Sequence, residues 1–520
     1  MILVRIFIIC LIVAQSVNIH AQISIRANLE FFFTDSAERF DRSTSINFPI
    51  LDSLYRTNNF KPLFSRAMSG MYLSYLKEAE QLGFDLKNYD FYTLDSLHYA
   101  KNASAYARFD FVAADSYLLI LADITNGLLK SENTRGGKVH FPLITINPFA
   151  ELERLSELPT LNFLKLAEPQ ILSYQKTKEK VLAYQLSRNK FGDNLLWIDS
   201  LKMGDRDSLV VALRKRLYVL GDYTIEPRMR SLIFNKELAS ALQLFQERNL
   251  LDTTGVLDEK TVQVLNKPIS YQIEELQLNL ERWRWVPNYL GEYYALANLP
   301  AFEMSLVKND SLLLRQKIVC GKVSRSTPSF YSIMSYMDIN PTWTVPPTIL
   351  QKDILPAVKR SSTYLSRTNM KVLDVSTGKF VNASEINWAN ASNYKFIQGP
   401  GLSNSLGVMK FIFPNNYYIF FHDTPHKEHF PLPVRAYSSG CIRLSQPREF
   451  AEIVLSYNDE SFTLTEIDSV VNTQKTTRIK LKEQATVYVH YLTHEYVNGL
   501  LYNYPDIYGY NKEQLKFLRN

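Results

Sequence analysis

The period of the apolar positions changes along this chain, and the changes divide it. From residue 28 to about 206, apolar residues recur every three or four positions, the spacing of one face of a helix. Leu73, Leu76, Ala79 and Leu82 make one such face with Gly83 placed to end it, and 113–129 makes another that Gly127 closes. A second helical block covers 207–266. There Leu209, Leu213, Leu217 and Leu220 form a face before Gly221. Asn235 is set to cap a helix carrying Leu238, Ala241, Leu242 and Phe245, and Asp258 a short third helix with Val262 and Leu265.

Beyond residue 280 the period becomes two, the mark of strands with one buried face. Phe302, Met304 and Leu306 alternate with Glu303 and Ser305, Asn309-Asp310 offers a turn, and 312–319 returns. Residues 409–413 and 417–421 flank Pro414-Asn415-Asn416 and predict a second hairpin, with His422 at the end of the returning strand and a helix over 447–457. Between the hairpins, 340–402 holds NPTWTVPPTI, a helix near 355–364 and Gln398-Gly399-Pro400-Gly401. It reads either as a cap over the final domain or as a surface excursion. The tail, 471–520, carries VYVHYLTHEYV and is expected to pack on the same sheet. The expected fold class is therefore α+β and multidomain: a mainly helical N-terminal scaffold (28–206), a three-helix module (207–266), and a mixed, β-rich domain (280–470).

Composition adds limits. With 520 residues, 46% of them hydrophobic, there is material for two to four domains with real cores. The net charge of +6 is spread without a basic tract, so no nucleic-acid partner is expected. Residues 1–21 read as an export signal: Arg5 is its only charge, 6–14 are apolar, and Ile19-His20-Ala21 precedes Gln22. The apolar run is short against the ~20 residues a membrane span needs, which favours cleavage over an uncleaved anchor. Cys10 leaves with the signal, so Cys320 and Cys441 remain. Cys320 ends an apolar run and reads as a small buried hydrophobe; a disulfide between the two is the alternative.

The candidate chemistry lies in 422–444, HDTPHKEHFPLPVRAYSSGCIRL. A thiol near neutral pH needs a base to take its proton, and its attack on a carbonyl needs N–H groups for the oxyanion. His422 upstream of Cys441, in a Ser438-Ser439-Gly440 turn, supplies those parts and points to cysteine acyl transfer. A metal site built on His422, His426, His429, Asp423 and Glu428 is not expected, because Pro425 keeps His422 and His426 off one helix face and the spacing matches no zinc set. A papain-like peptidase fits poorly as well, since its cysteine precedes its histidine by a long interval.

HDTP and RAYSSGCIRL, with nineteen residues from His422 to Cys441, resemble the YkuD-type L,D-transpeptidases. ERWRWVP, NPTWTVPPTI, QGPGLSNSLGVMKFIFPNNYYIFFHDTP and IYGY resemble the large periplasmic YcbB-like subgroup, and 207–266 resembles the three-helix peptidoglycan-binding module. The resemblance implies Cys441 as nucleophile and His422 as general base. It implies Gly440 and Cys441 N–H groups in the oxyanion hole, shaped by Ser439, where many members carry histidine. The Asp423 backbone carbonyl would orient the imidazole, Arg443 would hold the loop or meet a substrate carboxylate, and Tyr437 would touch substrate. It also implies the reaction: a tetrapeptide donor acylates the cysteine with loss of D-alanine, and a diamino-acid acceptor forms a 3→3 cross-link. Water in place of the acceptor gives L,D-carboxypeptidase activity; a wall-binding scaffold without turnover is the non-enzymatic alternative. No cofactor or metal is expected. The implied partners are peptidoglycan stem peptides and cell-wall synthases, in the periplasm.

Overall fold

The computed structural model describes residues 24–33, 47–130, 134, 139–157, 162–191, 200–225, 231–458 and 462–519. The expected export signal lies outside the described residues. Among them, no helix is long and apolar enough to cross a membrane.

The N-terminal half is helical, and local chemistry sets its boundaries. Ser65 caps helix Arg66–Gln81 by accepting the Met68 N–H, and Asn102 caps Ala103–Asn126 by accepting from Ala105. The module follows the sequence pattern closely. Its helices are Leu209–Leu220, ended by Gly221 at φ +78°, then Lys236–Arg248 and Glu259–Leu265, capped by the Asn235 and Asp258 side chains. Buried Gln246 adds what periodicity does not show. Its amide donates to Val256 O (2.8 Å) and accepts from Gly255 N–H (2.8 Å), pinning the turn between the last two helices. Scaffold, module and helix Ile269–Trp283 share one continuous apolar core, which also takes in Tyr488 and Leu492 from the tail.

The C-terminal half is built on an eleven-stranded mixed sheet. Six of its strands frame the site: β1 (Ser311–Gly321), β2 (Tyr336–Ile339), β3 (Met409–Ile412), β4 (Phe421–His422), β5 (Ile442–Leu444) and β6 (Thr477–Lys480). They lie in the order β6-β2-β3-β4-β5-β1. The tail is part of this sheet: β6 forms its edge, and Thr486–His490 pairs in parallel with Tyr293–Asn298. Alternation gives the sheet two unlike faces. One row across it reads Ile479, Met337, Phe411, Phe421, Ile442, all in the domain core. The next row, on the opposite face, reads Arg478, Asp338, Lys410, His422, Arg443.

The second hairpin differs from its expected form. The returning strand is only Phe421–His422, because Asn415 ties 413–419 into a tight loop. Its amide donates to Phe413 O and Ile419 O (2.7 Å each) and accepts from Tyr417 and Ile419 N–H, with Tyr418 at φ +58°. The insertion forms its own four-stranded sheet, with Trp343–Thr344, Tyr394–Gln398, Met370–Asp374 and Phe380–Val381 in that order, over a small core that includes Val345, Ile354, Leu365 and Phe396.

Candidate active site

The parallel pairing of β4 with β5 sets His422 opposite Arg443, and Cys441 precedes Arg443 by two residues. All three side chains therefore project to the same face of the sheet. The strand geometry puts the Cα atoms of His422 and Cys441 about 8 Å apart, one strand over and two residues along. Phe420 belongs to this face too, with its ring 5.6 Å from the His422 ring.

His422 is 4% exposed, and its Nδ1 lies 2.5 Å from the Asp423 carbonyl. A carbonyl oxygen only accepts, so Nδ1 carries the proton and Nε2 keeps a free lone pair. The Asp423 carboxylate does other work: one oxygen accepts the Val408 N–H (3.0 Å) and the other pairs with Lys427 (2.5 Å). Gly407, at φ +61°, packs so close to that carboxylate that any side chain would strike it.

Burial, followed by the nearby Arg443 charge, pushes His422 down from 6.5 to about 3. Burial pushes the Cys441 thiol up from 9.0 to about 11, against the lowering influence of the Phe420 backbone, Lys410 and Arg443. The resting pair is thus a neutral imidazole and a neutral thiol. The thiol makes its hydrogen bond with Tyr418 O, at 3.6 Å, not with His422. Both cysteines among the described residues are free: Cys320 is buried, with its sulfur 3.4 Å from Tyr508 OH.

The turn before Cys441 is held from several sides. Gly440 has φ +126°, a backbone region that L side chains rarely adopt. Its N–H is donated to Ser438 Oγ (3.0 Å), and Ser438 Oγ in turn donates to Cys441 O (2.6 Å). This corrects the expectation for Gly440. Its amide is spent inside the turn and is not aimed at a substrate oxygen. The Gly440 carbonyl accepts from Thr327 Oγ1 at 2.7 Å, and a trans peptide then turns the Cys441 N–H to the opposite side. Thr327 also accepts from Gly321 N–H (2.9 Å), and its own N–H reaches Tyr508 OH (3.3 Å), which donates to Gly321 O (2.7 Å). The IYGY tail thereby stands behind the Ser438–Cys441 turn.

Ser439 is exposed and accepts from Arg325 Nη1 at 2.7 Å. Arg325 also pairs with Asp353 in the insertion, Nη2 to Oδ1 at 2.9 Å, and so links the Ser439 side chain to that segment. Tyr437 is exposed, and its ring stacks on His429 at 4.7 Å. His429 is half-buried and lies 3.3 Å from Arg443 Nη1; His426 is exposed and pairs with Glu428.

Residues 292–482 match the YkuD family model, described as the L,D-transpeptidase catalytic domain. Over this stretch the chain is similar to the L,D-transpeptidase catalytic domain. Residues 49–181 match a model described as a scaffold domain, and 206–265 one described as "Putative peptidoglycan binding domain". A curated relative, a "Putative L,D-transpeptidase" of Haemophilus influenzae, is 31% identical over 243 residues, which are 46% of this chain and 48% of the relative. The chain thus spans about half the length of the curated relative it matches. Similar solved structures include L,D-transpeptidases from Mycobacterium smegmatis (12% identity, TM-score 0.16, 38% of this chain and 58% of the other) and Stackebrandtia nassauensis (11%, TM-score 0.19, 58% and 97%).

Proposed function

We propose that this protein is a peptidoglycan L,D-transpeptidase that acts in the cell envelope and forms 3→3 cross-links through a thioester on Cys441. The observation that carries the reading is the His422 tautomer: with Nδ1–H held by the Asp423 carbonyl, Nε2 is the proton acceptor on the face that Cys441 shares.

The steps follow from that arrangement. Rotation about Cβ–Sγ turns the thiol proton from Tyr418 O toward His422 Nε2. As the proton leaves, sulfur attacks the carbonyl carbon of the third stem residue, and the carbonyl electron pair moves onto oxygen. Because the resting pair is neutral, proton transfer accompanies attack and does not precede it. The Cys441 N–H stabilises the oxyanion. His422 then returns the proton to the departing D-alanine amine as the carbon–nitrogen bond breaks, leaving the thioester. The side-chain amine of a second stem gives a proton to His422, attacks the thioester carbon, and expels sulfur, which is reprotonated. Arg443 and Tyr437 contact the donor peptide, the 340–402 insertion covers it, the 207–266 module holds the wall polymer, and cell-wall synthases are the partner class.

The test is product analysis with a defined disaccharide-tetrapeptide. Release of D-alanine with a cross-linked dimer is expected, and Cys441→Ala abolishes both while leaving the melting temperature within about 2 °C, since it alters a turn rather than a core position. Dimer formation by Cys441→Ala, or binding with no turnover by the unaltered protein, contradicts the reading.

A further inference from the structure

Two cations bracket His422 on the open face of the sheet, and neither has an anion of its own among the described residues. The register sets Lys410 on one side of His422 and Arg443 on the other, with their Cα atoms about 10 Å apart across three neighbouring strands. The Lys410 ammonium lies over the Phe420 ring, 4.3 Å from its centre. The single carboxylate in the same row, Asp338, is already taken by Arg478 in a two-bond pair at 2.7 and 2.9 Å. Arg443 meets only the ring nitrogen of His429, and its Nε is buried with no hydrogen-bond partner.

Other arginines in the protein show what a completed site looks like. Arg248 holds Asp222 through Nε and Nη2 at 2.6 and 2.7 Å, and Arg282 fills its donors with Gln514, Thr493 and Asn511. Arg443 has the same planar fork, half-buried, with nothing planar and negative to meet it. Taking charge out of water without a partner is costly, and the cost is recovered when an anion arrives. A guanidinium fork fits a carboxylate through two parallel bonds, while an ammonium serves as a compact point charge. Both groups face the side on which Cys441 displays its sulfur.

We propose that Lys410 and Arg443 form a carboxylate-binding floor beside Cys441, which takes a free carboxylate of the donor peptide next to the scissile carbonyl. This rests on the donor chemistry proposed above and on the substrate-carboxylate role that the resemblance implies for Arg443, and it adds Lys410 as the second cation of the site. A tetrapeptide donor whose diamino acid carries a second carboxyl group offers two free carboxylates, that one and the carboxylate of the terminal D-alanine.

The experiment compares three donors: both carboxylates free, the terminal one converted to a carboxamide, and the diamino-acid one converted to a carboxamide. For the unaltered protein, one amidation lowers kcat/KM by about tenfold or more, as expected for a lost charge-assisted pair, and identifies which carboxylate is bound. In Lys410→Met and Arg443→Gln that preference for acid over amide falls close to one, while Lys410→Arg keeps it. Should Arg443→Gln fail to fold, Lys410→Met carries the same comparison. Equal turnover of all three donors by the unaltered protein, or an undiminished acid preference in the variants, removes the floor and leaves the thioester chemistry standing. Release of alanine or its amide from none of the donors removes both.

Discussion

The three-helix module and the Ser438–Cys441 turn are made of similar materials, short polar side chains and glycine, yet they are held in opposite ways. In the module, Asn235 reaches the N–H of Leu238 and Asp258 that of Thr261, both three residues away. At the catalytic turn the partners are remote in sequence: Thr327 Oγ1 holds the Gly440 carbonyl, Arg325 holds Ser439, and Tyr508 braces Gly321 and Thr327. A helix end needs only its own turn to satisfy its first N–H groups. The Ser438–Cys441 turn has one peptide plane to hold still, and it does so with groups from two remote segments of chain, 321–327 and the tail.

Breaking the two regions should therefore give unlike results. The largest effect falls at the proton acceptor. His422→Ala is expected to slow acylation by a carbapenem by about 10²- to 10⁴-fold, read as the rate of adduct formation by mass. Next comes the brace. Thr327→Val, nearly the same size, removes the hydroxyl that fixes the Gly440–Cys441 peptide and lowers kcat by about tenfold to a hundredfold, with Thr327→Ser restoring it. Loss in KM alone would show that the hydroxyl does not orient the oxyanion donor.

The third effect is on stability against pH. Unfolded His422 takes up a proton near 6.5, whereas the folded chain refuses it until about 3, so stability falls as pH drops through that window. Between pH 6.5 and 5 this one group costs about 1.5 kcal/mol, a slope that His422→Gln removes. At the alkaline side the sign reverses. Unfolded Cys441 ionises near 9.0 and the folded thiol only near 11, so stability falls as pH rises between those values. The smallest effect is in the module, where Asn235→Ala costs about 1 kcal/mol in denaturant unfolding and leaves turnover on a soluble donor unchanged.

The same contrast explains what could be read from the residues alone. Gly83, Gly127 and Gly221 end their helices where periodicity put them, and Asn309-Asp310 turns the first hairpin at positive φ. Periodicity also put His422 at a strand end. The two-residue alternation carries more than was drawn from it: Lys410, like His422, stands out of step with the apolar set of its strand, and that parity marks it as a resident of the site face. Thr327 and Tyr508 left no comparable mark, because a hydroxyl's partner 113 residues away is set by tertiary register and not by local pattern. Gly440 is a local case. Its positive φ is legible in a Ser-Ser-Gly-Cys turn, but the direction of its N–H is decided by Ser438.

Intact-mass analysis of the protein during turnover of a defined tetrapeptide tests the central claim most directly. The account predicts a covalent adduct of donor minus alanine, mapped to Cys441, absent in Cys441→Ala and slow to appear in His422→Ala. An adduct at another residue, or one that forms at the full rate without the imidazole, contradicts it.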